Sequence, residues 1–93
     1  MIPTIITTDN RYSFTNPANG KDFKLKELQA VVEGYIELVH LSDKVVMVVN
    51  EEGKCDNLEP NSIATAIARK VGAIPLNDYI AGNVLVCDDA MVK

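Results

Sequence analysis

Tyr35-Ile36-Glu37-Leu38-Val39-His40, then Leu41-Ser42-Asp43-Lys44, then Val45-Val46-Met47-Val48-Val49-Asn50 is the stretch around which the sheet is built. Both flanks are rich in β-branched and apolar residues, and a short polar loop separates them, which predicts an antiparallel hairpin. If residue 40 pairs with residue 45, then 35 pairs with 50. One face then carries Ile36, Leu38, His40, Val45, Met47 and Val49, and is the better core. The other carries Tyr35, Glu37, Val39, Val46, Val48 and Asn50, apolar at its middle and polar towards one end. A slip of one residue exchanges the two faces, because side chains alternate along a strand.

A helix precedes the hairpin. Leu25, Leu28, Val31 and Val32 form one apolar stripe, Asp22 is placed to cap its start, and Gly34 is placed to end it. After the hairpin, Glu51 to Asn57 reads as a loop. A second helix runs from about Asn61 to Val71, with Asn61 as its cap, Ile63, Ile67 and Val71 at i+4 spacing, and Arg69 and Lys70 in the last turn, where cations suit the helix dipole. Gly72 stops it. Tyr79 to Val86 is expected as the last strand, and the residues from Asp88 as an exposed tail. At the start of the chain, Ile2 to Thr8 and Arg11 to Thr15 flank Asp9-Asn10 and predict a hairpin, its first strand at a sheet edge because of Pro3. The order is β-β-α-β-β-α-β. That is an α+β fold, an antiparallel sheet of about five strands with two helices covering one face.

At 93 residues and 10.2 kDa the chain makes a single domain, 1–93. Its 47% hydrophobic content is globular rather than disordered. A net charge of −4 disfavours nucleic acid, whose phosphates need clustered cations, and no polybasic membrane anchor is present. No run approaches the roughly 20 apolar residues of a membrane span. Met1 to Asn10 lacks the charged and apolar regions of a secretory signal. Cys55 and Cys87 are too few for a disulfide framework and are read as reduced thiols, so the expected location is cytoplasmic.

Four boxes stand in order between Leu25 and Val86: Gly34-Tyr35-Ile36-Glu37, Asn50-Glu51-Glu52-Gly53-Lys54, Leu58-x-x-Asn61-x-x-Ala64 and Asp78-x-Ile80-x-Gly82. The chain thereby resembles a small domain family of unknown function, whose members occur in phages, plasmids and bacterial genomes carrying such elements. Family members usually have a second glycine just before the first box, where this chain has Glu33. The resemblance implies a phage-related or mobile-element accessory protein and brings no activity with it.

The candidate binding residues are Tyr35, Glu37, Asn50, Glu51 and Lys54, with Arg11 from the first hairpin. In the register above, Tyr35, Glu37 and Asn50 share a face and Asn50 leads into the charged loop. A phenol, carboxylates, an amide and an ammonium at one sheet end suit a polar ligand or a partner chain. Arg11, with Arg69 and Lys70, can hold phosphates of a small nucleotide, although Arg69 and Lys70 also complement a helix terminus. Asn61 and Asp78 are read as cap and turn residues.

Metal binding is not expected. His40 is the one histidine, the cysteines are far apart, and Glu51, Glu52 and Asp56 lack calcium-loop spacing. No nucleophile motif or phosphate-cradling loop is present, and Asp88 and Asp89 oppose ionisation of Cys87. No cofactor and no catalytic residue are therefore assigned. The leading expectation is a non-catalytic accessory protein that binds a protein partner. The alternatives are a small-ligand or nucleotide binder with Tyr35, Glu37, Asn50 and Arg11 lining a pocket, and a small enzyme using Glu37 or Glu51. The apolar middle formed by Val39, Val46 and Val48 also predicts a homodimer, since an uncovered apolar patch finds a partner.

Overall fold

The central hairpin forms one residue out of the expected register. A computed structural model describes residues 1–92. In it β3 (Ile36–His40) pairs with β4 (Val45–Asn50) so that Ile36 faces Asn50 and His40 faces Val46. The turn causes the slip. The Leu41 and Ser42 N–H groups both donate to the Val45 carbonyl, and Ser42 Oγ accepts from the Lys44 and Val45 N–H groups. Ser42 thus closes a three-residue loop, and Leu41 joins the ladder.

The slip re-sorts every side chain. Val46, Val48 and Asn50 now share a face with Ile36, while Met47 and Val49 share the other with Glu37 and Val39. Each face of β4 has its own helix. α1 (Leu25–Val32) packs Leu28 and Val32 against Val46, Val48, Leu85 and Cys87. α2 (Ser62–Lys70) packs Ala64 and Ala68 against Ile6, Met47, Val49, Val84 and Val86. The helices therefore lie on opposite faces, not on one as expected. The reason is in the run Val45–Val49, which is apolar on both faces and needs cover on both. The patch expected to drive self-association is split between the two faces: Val46 and Val48 are fully buried under α1, and Val39 is half-buried on the α2 side.

The remaining strands complete an antiparallel five-stranded sheet in the order β2-β1-β5-β4-β3, with β1 Thr4–Ile6, β2 Tyr12–Phe14 and β5 Val84–Asp88. The fold is α+β in the expected element order. β5 starts later than expected. Gly82, at φ 89°, breaks the extended run, and the residues before it pair with the entry to α2 instead. The Asn61 N–H donates to the Ile80 carbonyl and the Gly82 N–H to the Glu59 carbonyl. The end of the described chain is no free tail. Asp89–Met91 makes a 3-10 turn, the Phe23 N–H donates to the Met91 carbonyl, and Val92 bridges to Phe23.

Both helix starts use side chains. Asn61 caps α2 as expected, its Oδ1 accepting from the Ala64 N–H at 3.0 Å. The start of α1 is held by Glu27 rather than Asp22: the carboxylate accepts from the Lys24 and Ala18 N–H groups, which holds its pKa below the ordinary range. At the end of α1 the left-handed residue is Glu33, at φ 64°, and not Gly34.

Candidate functional site

Three segments meet at one end of the sheet, on the α2 side, and enclose a cleft of about 160 Å³. β3 contributes Glu37 and Val39, the loop after β4 contributes Glu51 to Cys55, and the segment after α2 contributes Ile74 and Asp78 to Ala81.

Asn50 sets the loop. Its side chain is buried, and Nδ2 donates to the Val32 carbonyl at the end of α1 at 3.0 Å. Its Oδ1 accepts from the Glu52 N–H at 2.8 Å, which starts the turn. The chain then folds back on itself, with the Asp56 N–H donating to the Glu52 carbonyl and the Leu58 N–H to the Gly53 carbonyl. Two glycines make room. A Cβ on Gly34 would lie 2.7 Å from Asn50 Nδ2, and a Cβ on Gly53 would lie 2.8 Å from the Ala81 carbonyl oxygen. At Gly53 the neighbour is backbone, so only hydrogen fits and the loop seats directly against the 78–82 segment; at Gly34 it is the Asn50 amide, which donates to the Val32 carbonyl.

That segment is anchored from below and from the side. Thr65 Oγ1 accepts from the Ile80 N–H at 2.9 Å, and the Arg69 guanidinium donates to the Asp78 carbonyl through Nε and Nη2. Asp78 Oδ1 accepts from the Tyr79 N–H at 2.8 Å and from Lys54 Nζ at 2.5 Å. The Lys54 ammonium also lies 5.3 Å from the centre of the Tyr79 ring. The hydrogen bond from Lys54 lowers the Asp78 pKa, and the same bond raises that of Lys54, with smaller pulls from Tyr79 and Glu37. Both groups stay charged at neutral pH.

The structure therefore brings together Glu37, Asn50, Glu51 and Lys54 of the expected site residues, though not in the expected way. Asn50 does not share a face with Glu37. It lies on the α1 side and organises the loop, because the register slip turned it inward. Tyr35 does not line the cleft. The residue is 67% exposed, and its carbonyl accepts from the Glu51 N–H. Arg11 lies at the turn between β1 and β2, paired with Asp9. Asp78 and Tyr79, read as turn and strand residues, are the members that sequence reasoning missed. Their signal was the fourth box, which names the position but not its partner across the cleft. Both cysteines are free, Cys55 exposed at the cleft and Cys87 buried in β5. Among the described residues no three His, Cys, Asp or Glu side chains come together in a way that could hold a metal ion.

Residues of the first, second and fourth boxes thus meet at the cleft, while the third lies at the start of α2. The family model for Domain of unknown function (DUF3846) matches residues 5–91, nearly the whole chain. The chain belongs to the DUF3846 family. No curated protein and no solved structure matches it. Within this DUF3846 domain, the first box supplies Gly34 and Glu37, and the second supplies Asn50 and the loop. The third supplies the Asn61 cap and the fourth the far wall. Asn61 binds the layers as well as capping: its buried Nδ2 donates to the Ile6 and Gly82 carbonyls at 3.0 and 2.9 Å.

Proposed function

We propose that this DUF3846 chain is a non-catalytic accessory protein of phages or mobile elements, working in the cytoplasm, that binds a protein partner by taking a cationic side chain into the cleft. The phage and mobile-element association rests on the four boxes. The binding reading rests on the charge of the cleft. Glu37, Glu51, Glu52 and Asp78 line it against Lys54, and Lys54 is already paired with Asp78. Glu37, Glu51 and Glu52 are exposed at its rim, while the Tyr79 ring already carries the Lys54 ammonium. A lysine or arginine on a partner meets opposite charge on several sides. Exposed carboxylates also raise the encounter rate with a basic surface, an effect that salt weakens.

Size argues for a side chain over a nucleotide. Small-molecule sites usually enclose about 300–1,000 Å³, and this cleft holds about 160 Å³. Arg11, the expected phosphate contact, does not line it.

Thermal melts with short peptides test the reading, since a ligand of the folded state raises the midpoint. A lysine-rich peptide raises the midpoint of the native chain and loses that effect on Glu37→Gln/Glu51→Gln. A midpoint raised by a glutamate-rich peptide or by nucleotides, and untouched by the lysine-rich one, refutes it.

A further inference from the structure

The wall of the cleft that carries Glu37 is also a free edge of the sheet. Among the described residues β3 is the terminal strand, paired on one side only. The pairing shows which of its backbone groups are spent. The Glu51 N–H donates to the Tyr35 carbonyl and the Leu41 N–H to the Val45 carbonyl. In an antiparallel ladder, hydrogen-bonded pairs alternate with pairs that face away. Glu37 and Val39 therefore spend their backbone groups on β4, as do the Tyr35 carbonyl and the Leu41 N–H at the two ends. The N–H and C=O groups of Ile36, Leu38 and His40 point outward along the open edge.

The side chains of this edge differ between the two faces. Glu37 and Val39 face the acidic cleft, while Ile36 and a partly exposed Leu38 lie on the α1 side. An extended chain laid against β3 would place alternate side chains over these two surfaces. The opposite edge of the sheet, β2, offers Tyr12, Ser13 and Phe14, which carry no charge, and none of the three lines the acidic cleft.

We infer that the partner segment binds by adding an antiparallel strand to β3, and that its sequence alternates cationic and apolar residues. The cationic residues lie opposite Glu37 and Val39, over the cleft. The apolar ones lie opposite Ile36, Leu38 and His40 and exchange backbone hydrogen bonds with them. Strand addition of this kind takes affinity from the main chain and selectivity from alternate side chains. The inference rests on the cleft being the binding site and adds how the segment lies and what it is made of.

Calorimetric titration with an alternating Lys-Val heptapeptide tests it. The valines are the residues whose N–H groups point at β3. Methylating the valine nitrogens is expected to weaken binding about tenfold or more, the scale of one or two lost hydrogen bonds. Methylating the lysine nitrogens instead is expected to leave affinity within about twofold. On the protein, Leu38→Pro removes an outward N–H without touching the ladder and is expected to match the valine-methylated result, while Phe14→Pro on the far edge changes nothing. Equal affinity of both methylated peptides overturns strand addition. If Glu37→Gln still weakens the parent peptide in that case, the cleft reading stands. Failure of the parent peptide to bind, or equal binding to Glu37→Gln, overturns both.

Discussion

Lys54 Nζ sits 2.5 Å from Asp78 Oδ1, 24 positions away in sequence, and this contact ties the loop after β4 to the segment after α2. Each partner is exposed enough for water to screen it, so the pair shapes the cleft more than it stabilises the fold. Its loss should be felt first in binding.

The acid side of the stability profile carries a signature of this pair. The Asp78 and Glu27 carboxyls both hold their protons more weakly in the folded chain than in the unfolded one. Their contribution is complete above the ordinary carboxylate range and is lost as pH falls through it and below. The urea midpoint should be level down to about pH 5 and drop below about pH 4. In Asp78→Asn the drop should be shallower. A midpoint that rises on acidification contradicts the assignment.

The end of α1 predicts two opposite substitution effects. Glu33 holds φ 64°, a conformation that costs a non-glycine residue about 1–2 kcal/mol. Glycine relieves that cost and loses part of the gain to unfolded-state entropy, so Glu33→Gly should stabilise by up to about 1 kcal/mol. Gly34→Ala should destabilise by about 1–3 kcal/mol, because its methyl meets the amide of buried Asn50. Denaturant melts of the two variants should shift in opposite directions.

Asn61 should be the most sensitive polar residue in the chain. Alanine removes the cap of α2 and leaves the Ile6 and Gly82 carbonyls without their buried donor. The expected loss is about 2–4 kcal/mol by chemical denaturation. Asn61→Asp keeps the acceptor but not the donor, and should be destabilised as well. A loss no larger than that of a surface substitution would mean that Asn61 does not join the layers.

The two thiols should separate cleanly. Burial, with help from Asp88 and Asp89, pushes the Cys87 pKa up to about 11, so at neutral pH it is a shielded thiol. Cys55 is exposed. A thiol-reactive dye at pH 7.5 should count one fast equivalent on the native chain and a second on adding denaturant. Two fast equivalents would show β5 to be open.

Much of this architecture could be read from local pattern. The stripe of Leu25, Leu28, Val31 and Val32, the Asn61 cap and the apolar runs about Ser42 each carry their own signal. The register could not be read, because it turned on one hydroxyl: Ser42 Oγ accepts from the Lys44 and Val45 N–H groups and shortens the loop. From that single residue follow the inward turn of Asn50 and the separation of Glu37 from it. The two-sided burial of Val45–Val49 was present in its unbroken apolar run, which a strand open on one face does not need. Glu37, Glu51 and Lys54 were recognisable from their boxes. The fourth box named the position of Asp78 but not its place at the cleft, which comes from a lysine contact across 24 positions.

The central claim is that the acidic cleft beside β3 receives a cationic segment of a partner. Amide NMR of the isotope-labelled chain, titrated with the alternating Lys-Val heptapeptide, tests it most directly. Shifts are expected to concentrate on Ile36 to His40, Glu51 to Lys54 and Tyr79, and to weaken as salt is raised. Shifts gathered at Tyr12 to Phe14, or a spectrum unmoved by the peptide, would contradict it.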